Sequence, residues 1–526
     1  MMDIFEKQWD VIVIGAGLGG GICGRALAEA GLSVLYLERG PDTPRHARNN
    51  LDCELEDPKA RERIGAWPVQ VEAHVNGVTT TSWGMQGVGA GGTSAFYAAA
   101  LERPERHDFE DIEGMPHPTG GWPVGYDAFA PWYDRAQKIM HINGSPDPLG
   151  PPVTGLATPR ALAPRDAALG EALTEVGLHP YRAHLGIRQL EGCLECIGHK
   201  CPRPCKMDGR SAGVEPAIAT GRAALLDTAI VLGLAGTGRR VSGVRLLHAE
   251  TEKVVTARTY VMAAGGLGSP RLLLASASDA WPNGCANSTG LVGRGLMFHL
   301  TERIAIWPPR KTFAPGAKGP AKAFSLRDFY RSGTDRMGLF QSLGLPASYG
   351  NIVYALRQQY EVSRLARFGA GKALLRIPAF AAARVLGDAR VFAGILEDLP
   401  REENRVRYDP ARPDAIIYDY TMSSELLERR QRYRRLIKKG LGRIRSIYLN
   451  HAPELNITHP CGTLRFSEDP AKGVLDPSCR AHDLDNLYVV DASFMPTSTG
   501  VNPGLTIVAN ALRVADIIAT QFGQRK

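Results

Sequence analysis

Gly15, Gly17 and Gly20 follow a β-branched run, residues 10–14, and precede the helical pattern ICGRALAEAG. That order suits a bound pyrophosphate. Gly15 permits a tight turn, Gly17 lets backbone N–H groups approach phosphate oxygens, and Gly20 lets the helix pack on the strand. The helix N-terminus then faces the negative charge. A second strand, SVLYLE, ends at Glu38, 18 residues past Gly20, with Arg39 beside it as a further candidate contact. A carboxylate there accepts hydrogen bonds from ribose hydroxyls. The glycines alone are a weak signal, but strand, glycines, helix, strand and acid in register specify a dinucleotide.

This unit does not separate NAD from FAD, and two later segments point to FAD. The stretch GVGAGGTS, residues 87–94, is a second glycine-rich loop in which Gly91, Gly92, Thr93 and Ser94 can pass along a flavin edge. Near the C-terminus a strand over 487–490 reaches Asp491 and Ala492, then a loop, then a helix that opens at Asn502 and Pro503 with Thr506 in its first turn. Proline suits a helix start because its missing N–H would be unpaired there. Such a helix N-terminus favours the electron-rich N1–C2 side of a reduced flavin.

A different chemistry is offered by GCLECIGHKCPRPCK. Cys193, Cys196, Cys201 and Cys205 follow a C-x2-C-x4-C-x3-C spacing and make up four of the nine cysteines. In a reducing compartment such clustering reads as metal or redox chemistry before disulfides. The spacing suits an iron–sulfur cluster or a zinc ion, with His199 as a spare ligand. Structural thiols in a metal-free turn are the other reading.

These segments, in chain order, resemble the glucose–methanol–choline (GMC) oxidoreductase family. The resemblance is carried by GAGLGGG, by GVGAGGTSAFYAAALERPERHDFE and by WPVGYDAFAPWYDRAQ. It continues through AAGGLGSPRLLLAS with LVGRGLMFH, and through HPCGTLRFSEDPAKGVLD with NLYVVDASFMPTSTGVNPGLTIVANAL. It implies FAD-dependent oxidation of an alcohol, with the HxxGT histidine falling on His459 and a second active-site residue on Asn502. It also places the flavin-binding acid at Asp491 and an adenine contact near Ile230. Alcohol oxidation requires that the hydroxyl proton leave and that a hydride move from carbon to flavin N5. An imidazole with an ordinary pKa of about 6.5 is suited to take that proton. The Asn502 amide would orient the substrate oxygen, leaving His459 as the one titrating group of the pair. The chain departs from the family in the flavin loop, where Phe96 and Tyr97 stand and no histidine is available for a covalent link, so FAD is expected without one. Cys201 to Lys206 resembles a metal-free family turn, C-P-x-G-A-K. Some bacterial members instead carry a cluster in a cysteine-rich stretch and pass electrons to a cytochrome partner.

The fold class expected is α/β: a Rossmann-like FAD-binding domain of GMC type, with an inserted α+β substrate-binding domain carrying an antiparallel sheet. The FAD domain is expected from residues 1–45, 80–110, 215–300 and 455–526, and the substrate domain from 111–214 and 301–454. EDLPREENRVRYD and DAIIYDY read as strands of a sheet over the flavin. Residues 355–392 are amphipathic, rich in arginine and poor in acids, and read either as a packed helix pair or as a membrane-surface or partner-docking element. His299 reads as a domain-junction residue.

At 44% hydrophobic and 22% charged, the chain has the composition of a globular enzyme rather than a disordered one. The net charge of +8 is spread without a nucleic-acid recognition motif, so nucleic acid is excluded and an acidic or anionic partner is the milder reading. The polar, acidic N-terminus lacks signal-peptide features, and no uninterrupted apolar run reaches about 18 residues. The expected location is therefore cytoplasmic, with peripheral membrane contact as an option. The primary reading is a dehydrogenase that delivers electrons to a quinone, cytochrome or small partner protein. The alternative is an alcohol oxidase that reduces O₂ to H₂O₂.

Overall fold

A computed structural model describes residues 4–45, 57–309, 319–344, 374–387 and 389–524, with isolated positions at 352, 353, 356 and 360. The β-branched run that precedes the first glycines becomes the strand Trp9–Ile14, the centre of a five-stranded parallel sheet. Ala257–Met262 and then Leu487–Val489 lie on one side, Val34–Leu37 and then Ala223–Leu226 on the other. Val34–Leu37 is buried along its whole length, as a parallel strand covered on both faces must be. Segments separated by nearly five hundred residues thus meet in one sheet, and their C-terminal ends carry the glycine turn, Glu38 and Asp491.

Two helices cover one face. Leu18–Glu29 opens with three glycines whose role is contact: a methyl on Gly19 would lie 2.2 Å from the Val490 carbonyl oxygen, and one on Gly20 2.1 Å from that of Gly15. The second helix, Gly504–Gln524, packs against it. By length and apolar content this helix could cross a bilayer, unlike anything expected from the sequence. Two-thirds of its apolar window is buried, as in a core helix.

The other major layer is a six-stranded sheet in the order Ser446–Tyr448, Leu300–Ile306, Arg390–Leu396, Phe340–Ser342, Phe324–Leu326 and Tyr181–Arg182. All its pairings are antiparallel. Ser325 pairs with Gln341, which brings the segment just before Phe324 alongside Phe340–Ser342. The helix Ser424–Leu441 backs this sheet, and its Arg430 and Arg434 bind the fully buried Glu302.

The strands expected from EDLPREENRVRYD and DAIIYDY form as Arg405–Arg407 and Ile416–Tyr420. They join a separate four-stranded sheet with the hairpin Gln70–Val75 and Val78–Trp83. Of the arginine-rich stretch, the helix Arg376–Leu386 is described; most of 355–373 lies outside the described residues.

Candidate active site

The two glycine loops lie against each other. Gly15 adopts φ +104°, and a methyl on it would overlap the Ala263 carbonyl oxygen, so the turn requires glycine. Gly91 N–H donates to the Ala16 carbonyl at 2.9 Å, and a methyl on Gly92 would come within 3.2 Å of Gly17 Cα. Nothing lies within 4 Å of the place where a Gly17 side chain would point.

Glu38 joins the loops. Its carboxylate accepts N–H bonds from Ala16 at 2.9 Å, Gly40 at 3.0 Å and Gly89 at 2.9 Å, and burial pushes its pKa up. Its place in the sequence assigns Glu38 to the ribose; the structure adds this stapling role. Thr93 and Ser94 also serve the loop itself: Thr93 Oγ1 accepts from Gly87 N–H, and Ser94 Oγ donates to the Gly91 carbonyl. Beyond Glu38 opens a cleft of about 700 Å³ lined by Arg39, Pro41, Thr228 and Ile230 among others. Arg39 is fixed there by Asp414 at 2.8 Å and by the Trp67 ring beneath it.

Asp491 is spent on local structure. It accepts Gly265 N–H and Ser493 N–H, each at 2.9 Å, and both the Ser269 and Ser493 hydroxyls. The Ala492 carbonyl accepts Gly462 N–H at 3.1 Å, tying the last strand to the HPCGT segment. Pro503 stands just before the last helix and accepts its Ile507 N–H at 2.9 Å, while the Thr506 hydroxyl is buried against Tyr133 at 2.9 Å.

His459 is brought to His299 by a pair of backbone bonds between Met297 and Cys461, two residues from each ring, and by Asn456 N–H on the His299 carbonyl. The two Nδ1 atoms are 3.1 Å apart, and His299 Nε2 lies 2.9 Å from the Thr499 carbonyl oxygen. A carbonyl can only accept, so His299 carries its proton on Nε2. Burial pushes the His299 pKa down to about 4, which keeps that ring neutral and leaves Nδ1 a bare lone pair. Two lone pairs at 3.1 Å would repel, so this contact favours a proton on His459 Nδ1. The Asn456 amide nitrogen, turned there because its Oδ1 accepts from Thr458, lies 3.2 Å from the same atom and as a donor favours a lone pair on it, so the two neighbours hold the ring in place without setting its tautomer. His459 Nε2 has no partner among the described residues. Burial, then His299 and Lys322, drive its pKa well below the usual histidine range, so the ring is neutral at pH 7.

Thr499 supplies its carbonyl from φ +58°, an unusual conformation for a β-branched residue and a form of strain found at functional sites. Three residues on, Asn502 accepts a hydrogen bond on Oδ1 from Gln341 Nε2 at 2.8 Å. The turn over 499–502 therefore carries both the support for His459 and the second candidate residue. His299, which reads from sequence as a junction residue, belongs to this site; its place after VGRGLMF is the one signal for it.

The cysteine segment packs on the flavin loop through Gly198 N–H to the Phe96 carbonyl at 3.0 Å. Lys206 is almost fully buried and ties the segment together through the Cys196 and His199 carbonyls, each at 2.6 Å. The four thiols lie near enough to one another to perturb each other's titration. The neighbouring Cys196 thiol and the Lys206, Arg203 and Cys205 backbone amides hold the Cys201 thiol below its ordinary range. Among the described residues, however, no group of three or more His, Cys, Asp or Glu side chains is arranged to hold a metal ion, so the iron–sulfur and zinc expectations gain no geometric support.

Family models described as GMC oxidoreductase match residues 11–301 and 400–511. The chain belongs to the GMC oxidoreductase family. Its relatives include 2-methyl-1,2-propanediol dehydrogenase of Mycolicibacterium austroafricanum, 30% identical over 99% of this chain and 97% of that protein. Paromamine 6'-oxidase of Streptomyces fradiae is 29% identical over 99% and 93%. The fructose dehydrogenase large subunit of Gluconobacter japonicus is 27% identical over 98% of each. This GMC protein is an FAD-dependent oxidoreductase acting on CH–OH donors. Its own residues fit that cofactor: open space at Gly17 beside a helix N-terminus, a cleft at Ile230, and a histidine nitrogen without a protein partner among the described residues. FAD, when bound, supplies the hydride acceptor.

Proposed function

We propose that this protein oxidises a small polar alcohol bearing more than one hydroxyl, with His459 Nε2 taking the hydroxyl proton and Asn502 holding the oxygen. The observation that carries this reading is the anchoring of the His459 ring at its Nδ1 edge, which leaves Nε2 without a protein partner among the described residues. Its Nδ1 edge is held by His299 and Asn456 and the ring is neutral, so Nε2 is the nitrogen open to a substrate hydroxyl. The three relatives, named for a propanediol, fructose and paromamine, favour a polyol-like substrate.

For the acceptor we favour a partner or quinone over O₂. Leu374, Ile377, Phe380 and Val385 project into solvent on or beside an arginine-bearing helix, a face suited to a docking partner or an anionic membrane surface. The cysteine quartet, packed on the flavin loop, is the candidate relay in this reading, and FAD is held without a covalent bond. The test is turnover of 2-methyl-1,2-propanediol and fructose with a soluble quinone under nitrogen, set against H₂O₂ formation in air, with iron and sulfide analysis of the same sample. Quinone reduction exceeding peroxide formation at least tenfold supports the dehydrogenase. Peroxide at a comparable rate supports the oxidase, and an iron-free sample returns the thiols to structure.

A further inference from the structure

We infer that Lys322 and Gln341 are positioning residues that fix Asn502 as a hydrogen-bond donor to the substrate oxygen. The inference rests on the alcohol oxidation proposed above and adds two residues to its site. Lys322 stands just before Phe324–Leu326 and is 4% exposed; Gln341, on the neighbouring strand, is 2% exposed. Lys322 Nζ donates to Gln341 Oε1 at 2.7 Å, and Gln341 Nε2 donates to Asn502 Oδ1 at 2.8 Å.

The direction of this chain follows from chemistry. An ammonium has three protons and no lone pair, so the group facing it must be an oxygen. Gln341 then presents its NH₂ to Asn502, which must answer with its own oxygen. The Asn502 NH₂ is left turned away from the chain, without a partner among the described residues. On the other side of the site, His459 is anchored at Nδ1 by His299 and Asn456, and its Nε2, without a partner among the described residues, is the nitrogen that takes the proton in the proposed reaction. One side thus offers a base for the alcohol O–H and the other a donor for the alcohol oxygen. As the proton passes to Nε2, the negative charge left on that oxygen meets an N–H polarised by a cation two hydrogen bonds away.

The charges around Lys322 are consistent with a poised cation. Glu102, in the loop before the strand layer, faces it and is itself held by Ser325, Tyr181 and His184. Glu195 accepts the neighbouring Ala321 N–H at 2.6 Å, and His459 lies across the site. Burial outweighs these acids and lowers the Lys322 pKa to about 8. Above that pH a neutral amine can accept as well as donate, and the direction of the chain is no longer enforced.

Three variants separate direction from mere packing: Lys322→Met, Gln341→Leu and Gln341→Glu. The FAD-loaded proteins are titrated with 2,2,2-trifluoroethanol, a non-reacting acidic alcohol, by the perturbation of flavin absorbance at pH 6.5 and pH 9.5. Wild type should bind the alcohol more weakly at pH 9.5 than at 6.5, and K322M should bind about tenfold more weakly than wild type at pH 6.5 with no pH dependence between the two. Q341E is the sharpest case. Its carboxylate accepts from both Lys322 and Asn502, so the Asn502 oxygen turns into the pocket, and binding should fall about a hundredfold, below that of Q341L. A purely structural role predicts the opposite order, because glutamate matches glutamine in shape and pairs better with lysine. Q341E binding as well as wild type, K322M retaining the pH dependence, or no perturbation of wild type by the alcohol would each overturn the inference. A protein that takes up no FAD would instead sink the proposed function.

Discussion

Gly17→Ala and Gly20→Ala add the same methyl group to neighbouring points of one helix start, with opposite expected consequences. On Gly20 the methyl lands 2.1 Å from the Gly15 carbonyl oxygen and 2.9 Å from Ala263 Cβ, where ordinary contact begins at about 3.4 Å. The helix must back off the strand by roughly 1.3 Å or distort the turn. Overpacking of that kind costs about 1–3 kcal/mol, or roughly 2–10 °C in the melting temperature of a domain this size. On Gly17 the methyl meets nothing within 4 Å, and φ −75° already suits alanine. The apoprotein should therefore melt within about 1 kcal/mol of wild type, the entropy gain of alanine being offset by its weaker capping at this N-cap position. What the methyl does fill is the space through which backbone N–H groups reach the FAD pyrophosphate, so affinity should fall at least about tenfold, or 1.4 kcal/mol. Differential scanning fluorimetry of the apoproteins and FAD titration by flavin fluorescence read the two effects separately. If G17A bound FAD within twofold of wild type, or melted with G20A, the placement of the pyrophosphate would be refuted.

Replacing Glu38 with Ala orphans three backbone N–H groups that span both loops, and should lower the apoprotein melting temperature while abolishing FAD retention on gel filtration, at about 1–3 kcal/mol for each buried donor left bare. His299→Leu removes the ring that holds His459 at Nδ1, and should slow anaerobic flavin reduction about tenfold or more in stopped flow without loss of FAD. The same ring governs acid stability. Its pKa in the fold is about 4 against an ordinary 6.5, so it adds stability above pH 6.5 that is lost as pH falls towards 4. By pH 5 the loss is about 2 kcal/mol, and urea titrations at pH 7.5 and 5 should show H299L lacking that increment.

The parts of the site that depend on neighbouring residues are legible in the amino-acid sequence. The turn at Gly15, the packing at Gly20 and the acid at Glu38 follow from steric and hydrogen-bonding needs of residues close together in the chain. What sequence does not reveal is what distant segments do to one another. Lys322 and Gln341 carry no motif, and they matter because two antiparallel strands pair beside a turn 160 residues further on. His299 reads as a junction residue because its ring partner is 160 positions away. Glu38 and Asp491 show the converse. Position along the chain assigns each to the cofactor, and each carboxylate is also occupied by neighbouring backbone N–H groups, which no spacing rule encodes. The cysteine spacing suggests a metal cage, yet among the described residues no three metal-ligating side chains are arranged to hold an ion.

The most direct test of the account is the anaerobic reduction of bound FAD by 2-methyl-1,2-propanediol or fructose, followed at ~450 nm in wild type and in His459→Ala. We expect the wild-type flavin to bleach in a single turnover, and the variant, with FAD still bound, to react about 10²–10⁴-fold more slowly, the usual contribution of a general base. Reduction in H459A within tenfold of wild type would contradict the assignment of the base and, with it, the reading of the site.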